Sequence, residues 1–407
     1  MRVVLFTGKG GVGKTTLAAA TAARLARGGR KVLVVSTDPA HSLGDALEAD
    51  LGGEPVELEA GLFAGHIDTR ALLDDSWLQL QRHLRTVLAG AGVDELVADE
   101  LTLLPGVEDL LALGEVRRAA ATGPWEVVVV DCGPTAETLR LLGLPEAIAG
   151  YLERLFPAHR RAVRGLLAGL SGAGREALPA WEGTVAALDA LADQLVALRA
   201  MLSDHERTSI RLVLTPERVV AAETRRTLTA LALHGLRVDG LVVNRVVPDP
   251  PPSLRGPAAR WLRRRHREQQ AVLVELSGSD VPLRTAEHAA SEPTGVPALL
   301  EVAASLYGDD DPAGPGAPGS PLLHVRRTAG KASSPDSEFE LVLRLPGAES
   351  GPLDLARVGD ELAVTVGATR RMVALPALLR RCTVTSARLE GDDLCVVFAP
   401  DLAAWPR

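Results

Sequence analysis

The stretch Gly8 to Thr16, GKGGVGKTT, constrains this chain more than any other. It follows the apolar run Val3 to Phe6 and precedes an alanine-rich segment from Leu17, which predicts a strand, a glycine loop and a helix start. In that geometry the backbone N–H groups of Gly10, Gly11, Val12, Gly13 and Lys14 converge on phosphate oxygens, with the positive end of a helix dipole behind them. Side chains at the glycines, Gly8 included, would obstruct the approach. Lys14 is placed to reach the β- and γ-phosphates, and the Thr15 hydroxyl to ligate Mg²⁺, with Thr16 continuing the cradle into the helix. ATP and Mg²⁺ are therefore the expected ligands. A second lysine, Lys9, marks the deviant form of the motif. Only four of the 44 basic residues are lysines, and two of them sit in this loop. An arginine bias that spares these positions points to a need for a compact ammonium charge there.

At 407 residues and 46% apolar content, the chain is long enough for two or three domains with a large core. The net charge of −8 argues against a nucleic-acid binder, which normally carries a basic excess. No apolar run approaches the ~18 residues of a membrane span, so no integral membrane segment is expected and the reading is cytoplasmic. Cys132, Cys382 and Cys395 form no C-x-x-C pair, which leaves neither a disulfide framework nor a thiolate zinc site.

Along the chain, Lys31 to Val35 reads as a second buried strand ending in STDPAHSLGD, Ser36 to Asp45. Ligands of α/β sheets sit at strand C-termini. Asp38 is thus a candidate to orient or activate an attacking water, and with Asp45 a candidate for the Mg²⁺ shell. Trp125 to Asp131, WEVVVVD, is an apolar strand terminating in an acid, and Asp131 is the further Mg²⁺ candidate. Leucines at helical spacing predict helical insertions over about 70–120 and 146–205. Their faces around Leu84 and Leu195 suit either packing on the sheet or a groove for an apolar client, and the pattern fits both. Ile210 to Leu214 and Leu241 to Val243 restore the sheet, and Val272 to Leu276 reads as another strand. Asn244, after a strand, has an amide able to meet the adenine edge. The arginine run Arg263 to Arg267 reads as a solvated helix face.

Asp309 to Pro321, DDDPAGPGAPGSP, has linker composition. Beyond it the apolar period becomes two, through Phe339, Leu341 and Leu343 to Leu394, Val396 and Phe398, as a small all-β sandwich requires. The expected fold is α/β, a doubly wound, mostly parallel sheet with helical insertions over 1–308, a linker over 309–320 and a β-sandwich over 321–407.

Together GKGGVGKTT, STDPAHSLGD, DCGPTAETLRLL, LTPE and LVVNRV resemble the arsenical-pump ATPase family, which includes the ATPases that deliver tail-anchored membrane proteins. The resemblance spans about residues 1–308. It implies ATP hydrolysis by a homodimer in which Lys9 reaches across to the partner's nucleotide, Asp38 activates water and Asn244 contacts adenine. It also implies handling of a hydrophobic client or membrane-protein segment. LRLPG, Leu343 to Gly347, and the strand spacing make the C-terminal region similar to a small heat-shock-protein-type sandwich. Arsenite needs a thiolate cluster, and two of the three cysteines lie in the appended domain. Around the second switch, the segment that Gly133 and Pro134 open and that can respond to the γ-phosphate, Cys132, Ala136 and Glu137 stand where the family commonly has Thr, Gly and His. A positional or partition-type ATPase, or a signalling scaffold, is the alternative. A nucleotide-gated electron carrier is not, since one thiol per nucleotide domain falls short of the four a cluster needs.

Overall fold

The computed structural model describes residues 1–38, 42–68, 107–133, 193–194, 196–314, 321–331, 334–348, 353–367, 369–403 and 405. The strand β1 (Arg2–Gly8) lies at the centre of an eight-stranded sheet. On one side of it come β5 (Val127–Asp131), β2 (Val32–Ser36), β4 (Leu62–His66) and β3 (Val56–Glu59). On the other side come β6 (Thr208–Leu214), β7 (Gly240–Val246) and β8 (Leu283–Glu287). Every pairing is parallel except that of β3 with β4.

The central strands read as unbroken valine and leucine runs because both faces of a parallel sheet are covered. Val3, Leu5, Val128 and Val130 point into one core, and Val4, Phe6, Val127 and Val129 into the other. The second core is closed by α1 (Lys14–Arg27), α2 (Ser42–Leu47) and α6 (Gly295–Tyr307). The first is closed by α3 (Val107–Thr122), α4 (Arg218–Leu233) and α5 (Pro257–Ser277). Of the two expected helical insertions, α3 falls in the first. Residues 196–203 of the second are helical, with Leu198 and Leu202 buried. Leu84 and Leu195 themselves lie outside the described residues, while Leu198 and Leu202, at helical spacing from Leu195, pack into the first core.

One expectation is corrected. Val272 to Leu276 is not a strand but the last part of α5, a 21-residue helix. Val272 and Leu276, four apart, are buried on one helical face, whereas Val274 is 72% exposed. A strand would have put all three on the same face. The edge strand is instead Leu283–Glu287.

The C-terminal region is a sandwich of two antiparallel sheets. One has the order β14 (Cys382–Glu390), β15 (Asp393–Pro400), β10 (Glu338–Arg344), β9 (Leu323–Ala329). The other is β11 (Leu353–Val358), β12 (Glu361–Val366), β13 (Thr369–Ala374). The two-residue alternation supplies its core from Phe339, Leu341 and Leu343 on one sheet and Leu362, Val364 and Val373 on the other. Leu233, the last residue of α4, is fully buried in this same core. Thr229 on α4 donates to the Pro346 carbonyl at 2.5 Å, and Arg371 donates to the Leu233 carbonyl. The sandwich is thus seated on α4.

Residues 309–314, inside the stretch of linker composition, are tied to the large sheet's domain. Arg284 pairs with Asp310 and Arg30 with Asp311, each at 2.7 Å, Arg211 donates to the Pro312 carbonyl, and Ala313 is buried.

Candidate functional site

The phosphate loop leaves β1 at Gly8, whose φ is 149°. A Cβ there would stand 2.2 Å from the Val213 carbonyl oxygen on the paired strand β6, so no other residue fits. Gly13, φ 93°, ends the loop as the N-cap of α1. No side chain caps that helix and no acid occupies its first turn, which leaves its N–H groups and dipole to an anion. Gly10 and Gly11 face open space, the room a phosphate group requires. Lys14 is 6% exposed and its Nζ donates to the Lys9 carbonyl at 3.3 Å, so the ammonium is held inside the loop. Thr16 opens the helix half-buried beside it.

Asp131 ends β5 in register with Phe6 of β1 and Ser36 of β2, which brings three strand ends together. It is fully buried. Its Oδ2 accepts from Thr15 Oγ1 at 2.8 Å and from Ser36 Oγ at 3.1 Å, while its Oδ1 is buried with no hydrogen-bond partner among the described residues. Burial pushes its carboxyl up to about 6; the Thr15 and Ser36 hydroxyls and the Lys14 charge pull the other way, and Asp38 pushes with burial. A buried carboxylate with one orphaned oxygen beside a threonine hydroxyl is the oxygen donor set that Mg²⁺ prefers, with water completing its shell. Among the described residues no three His, Cys, Asp or Glu side chains form a metal cage.

The segment after β2 is stitched to the same acid. The Thr37 N–H donates to the Asp131 carbonyl at 2.9 Å, and Thr37 Oγ1 accepts from the Gly133 N–H at 3.2 Å. The Asp38 N–H donates to Ser36 Oγ at 3.2 Å, which holds the half-buried Asp38 at the mouth of the site, close enough for its charge to act on Asp131. The segments after β2 and β5 are therefore joined through Ser36 and Thr37. Ala136 and Glu137 lie outside the described residues.

Three predicted site residues are placed differently. Lys9 turns away from the loop, its Nζ donating to Glu223 Oε2 on α4 at 2.8 Å. Asn244 lies within β7 rather than after it, at an irregular step in the pairing with β8, and Arg245 beside it has φ 59°. Its Nδ2 donates to the Val12 carbonyl at 2.9 Å and its Oδ1 accepts from the Arg245 N–H at 2.9 Å, so it braces the phosphate loop. A Cβ on Gly13 would stand 2.2 Å from that Nδ2. One Nδ2 hydrogen and one Oδ1 lone pair of Asn244 are left over from these two bonds, enough to meet an adenine edge. Asp45, in the first turn of α2, lines a surface depression with Glu48, Asp50 and His66.

Sequence reasoning passed over Ser36, Thr37 and Glu223. The two hydroxyls sat inside a quoted motif, and the adjacency of β2 and β5 is what gives them work. Glu223 lies 214 residues from Lys9, and nothing local marks it. The three cysteines form no disulfide and are buried in separate places, Cys132 in the core of the large sheet and Cys382 in that of the sandwich. Cys395 pairs in register with Val342 and Arg388. They do not converge into a thiolate site. Among the described residues no helix is long and apolar enough to cross a membrane.

The family model described as Anion-transporting ATPase matches residues 1–308, and that described as the HSP20-like domain found in ArsA matches residues 336–398. Protein Rv2184c of Mycobacterium tuberculosis is 42% identical over 424 residues, covering 100% of this chain and 97% of its own. Protein SCO2128 of Streptomyces coelicolor is 38% identical over 410 residues, covering 100% of both chains. ATPase GET3 of Podospora anserina is 31% identical over 256 residues, 61% of this chain and 74% of its own. With the loop, the buried acid and the two domain matches in agreement, this chain belongs to the anion-transporting ATPase family and is an ATPase with an HSP20-like domain at its C-terminal end.

Proposed function

We propose that this ATPase works as an Mg²⁺-dependent cytoplasmic homodimer whose nucleotide state reshapes a surface for a hydrophobic client or membrane-protein segment. The observation that carries the metal dependence is Asp131, with Oδ2 satisfied by Thr15 and Ser36 and Oδ1 left in a buried setting without a partner among the described residues. Thr15 and Asp131 would hold Mg²⁺, with Asp38 and Asp45 as outer candidates. The bound cation would offset the charge of the phosphates. Lys14 supplies fixed positive charge within the loop, and the N-terminus of α1 supplies N–H donors that need no reorganisation. Asp38 orients the attacking water and accepts its proton. Ser36 and Thr37 carry the resulting change between the segments after β2 and β5.

Support for a homodimer comes from Lys9, which the loop's phosphate chemistry does not require and whose half-exposed ammonium is held outside the loop only by the half-exposed Glu223. A lysine so placed is available to a second copy's nucleotide. An arsenite-handling role is disfavoured by three cysteines that lie apart. The client reading rests on the resemblance to ATPases that deliver tail-anchored proteins. It is tested by co-expressing a single-span hydrophobic segment with full-length Asp38→Asn protein and purifying with ATP and Mg²⁺ or with EDTA. The expected result is a complex holding two copies of the chain that forms only with ATP and Mg²⁺. A monomer by light scattering, or capture indifferent to nucleotide, would overturn the reading.

A further inference from the structure

Helix α4 touches the phosphate loop near one end and the HSP20-like sandwich at the other. Near its start, Glu223 receives Lys9 Nζ at 2.8 Å. At its end, Thr229 donates to the Pro346 carbonyl and Leu233 is a buried member of the sandwich core. Between them Arg225 pairs with Glu275 of α5 and packs under Gly347, where a Cβ would come within 3.2 Å of Arg225 Cβ. The eleven residues from Glu223 to Leu233 span about 15 Å of continuous helix.

We propose that Glu223 is a positioning residue for Lys9, storing the lysine against α4 until nucleotide phosphate competes for it, and that α4 relays this release to the sandwich. The inference rests on ATP being the ligand of the loop and concerns how the rest of the chain senses it. The competition is uneven. Both members of the Lys9–Glu223 pair are partly exposed, at 49% and 41%, and pairs of that kind are weak. A triphosphate brings several negative charges to the same loop. The two loop lysines are also linked, because Lys14 Nζ donates to the Lys9 carbonyl. Drawing Lys14 onto phosphate breaks that bond and frees the backbone that carries Lys9. Glu223 then loses its counter-ion, and α4 has one anchor fewer at the end opposite the sandwich.

The test compares full-length wild type, Glu223→Gln, Lys9→Gln and the double variant. Binding of ATPγS with Mg²⁺ is measured at equilibrium, and hydrogen exchange is followed at residues 228–233 and 346–348. Removing the competitor should tighten nucleotide binding by about two- to five-fold in Glu223→Gln, the range open to an exposed pair. In the Lys9→Gln background the same change should have no effect. In wild type, nucleotide should raise exchange at the α4–sandwich contact, and in Glu223→Gln exchange there should be raised without nucleotide. A variant that binds unchanged or more weakly, or an effect that persists without Lys9, would overturn the storage role. A contact whose exchange ignores nucleotide would overturn the relay. Failure of wild type to bind nucleotide at all would instead remove the ATP site on which the inference rests.

Discussion

Asp131 should make the stability of the nucleotide-free protein depend on pH with a sign and size set by its burial. Its carboxyl is pushed from 3.8 to about 6, mainly by burial, and its Oδ1 lacks a partner among the described residues. The gap corresponds to about 3 kcal/mol at 1.36 kcal/mol per unit. Because the folded-state value is the higher, the group favours the fold when protonated. That contribution is complete below the unfolded value of 3.8 and is lost as pH rises through about 6. The cost of keeping the buried acid ionised is about half developed near pH 5 and nearly complete near pH 8. Asp131→Asn carries no titrating charge at this position. Urea unfolding of both proteins in EDTA, followed by circular dichroism, should therefore show wild type losing on the order of 1 kcal/mol relative to the variant between pH 5 and pH 8. A difference independent of pH, or one that grows in wild type's favour with pH, would refute the burial argument. Mg²⁺ with nucleotide should recover much of the loss, since it uses the ionised carboxylate.

Three further outcomes follow from the geometry. Gly13→Ala would place a Cβ 2.2 Å from Asn244 Nδ2 at a φ of 93°, so it should cost about 1–3 kcal/mol in stability and abolish tight nucleotide binding by calorimetry. Asn244→Ala removes the donor to the Val12 carbonyl and should weaken ATP and GTP together by about ten-fold; a loss confined to ATP would favour the adenine contact over the loop brace. Leu233→Ala removes a fully buried side chain from the sandwich core and should lower the sandwich's stability by about 2–5 kcal/mol, seen as a separated unfolding transition.

The sheet was readable because its strands are unbroken apolar runs punctuated by the residues that do chemistry: Gly8 after β1, Ser36 at the end of β2 and Asp131 at the end of β5. The sandwich was readable from its period of two. Val272 to Leu276 misled because a short valine-rich run suits either a buried strand or a helix face, and only packing separates them. The contacts that organise the site were not in the sequence signal. The pairing of Thr15 with Asp131 follows from motif logic, but the bond from Ser36 to the same carboxylate depends on β2 lying next to β5. Lys9 to Glu223 and Asn244 to Val12 join positions more than two hundred residues apart, where no local pattern can link them. The anchoring of residues 309–314 was hidden for a similar reason, since proline and glycine composition reports backbone chemistry and not the arginines waiting on the surface it crosses.

Phosphate release by the full-length protein, measured with ATP in the presence of Mg²⁺ or EDTA alongside Lys14→Ala and Asp38→Asn, tests the central claim most directly. The account predicts turnover by wild type that EDTA abolishes and loss of tight ATP binding in Lys14→Ala. For Asp38→Asn it predicts ATP binding close to wild type with turnover reduced by about 100-fold or more. Equal binding and turnover in all three proteins, or hydrolysis indifferent to Mg²⁺, would contradict it.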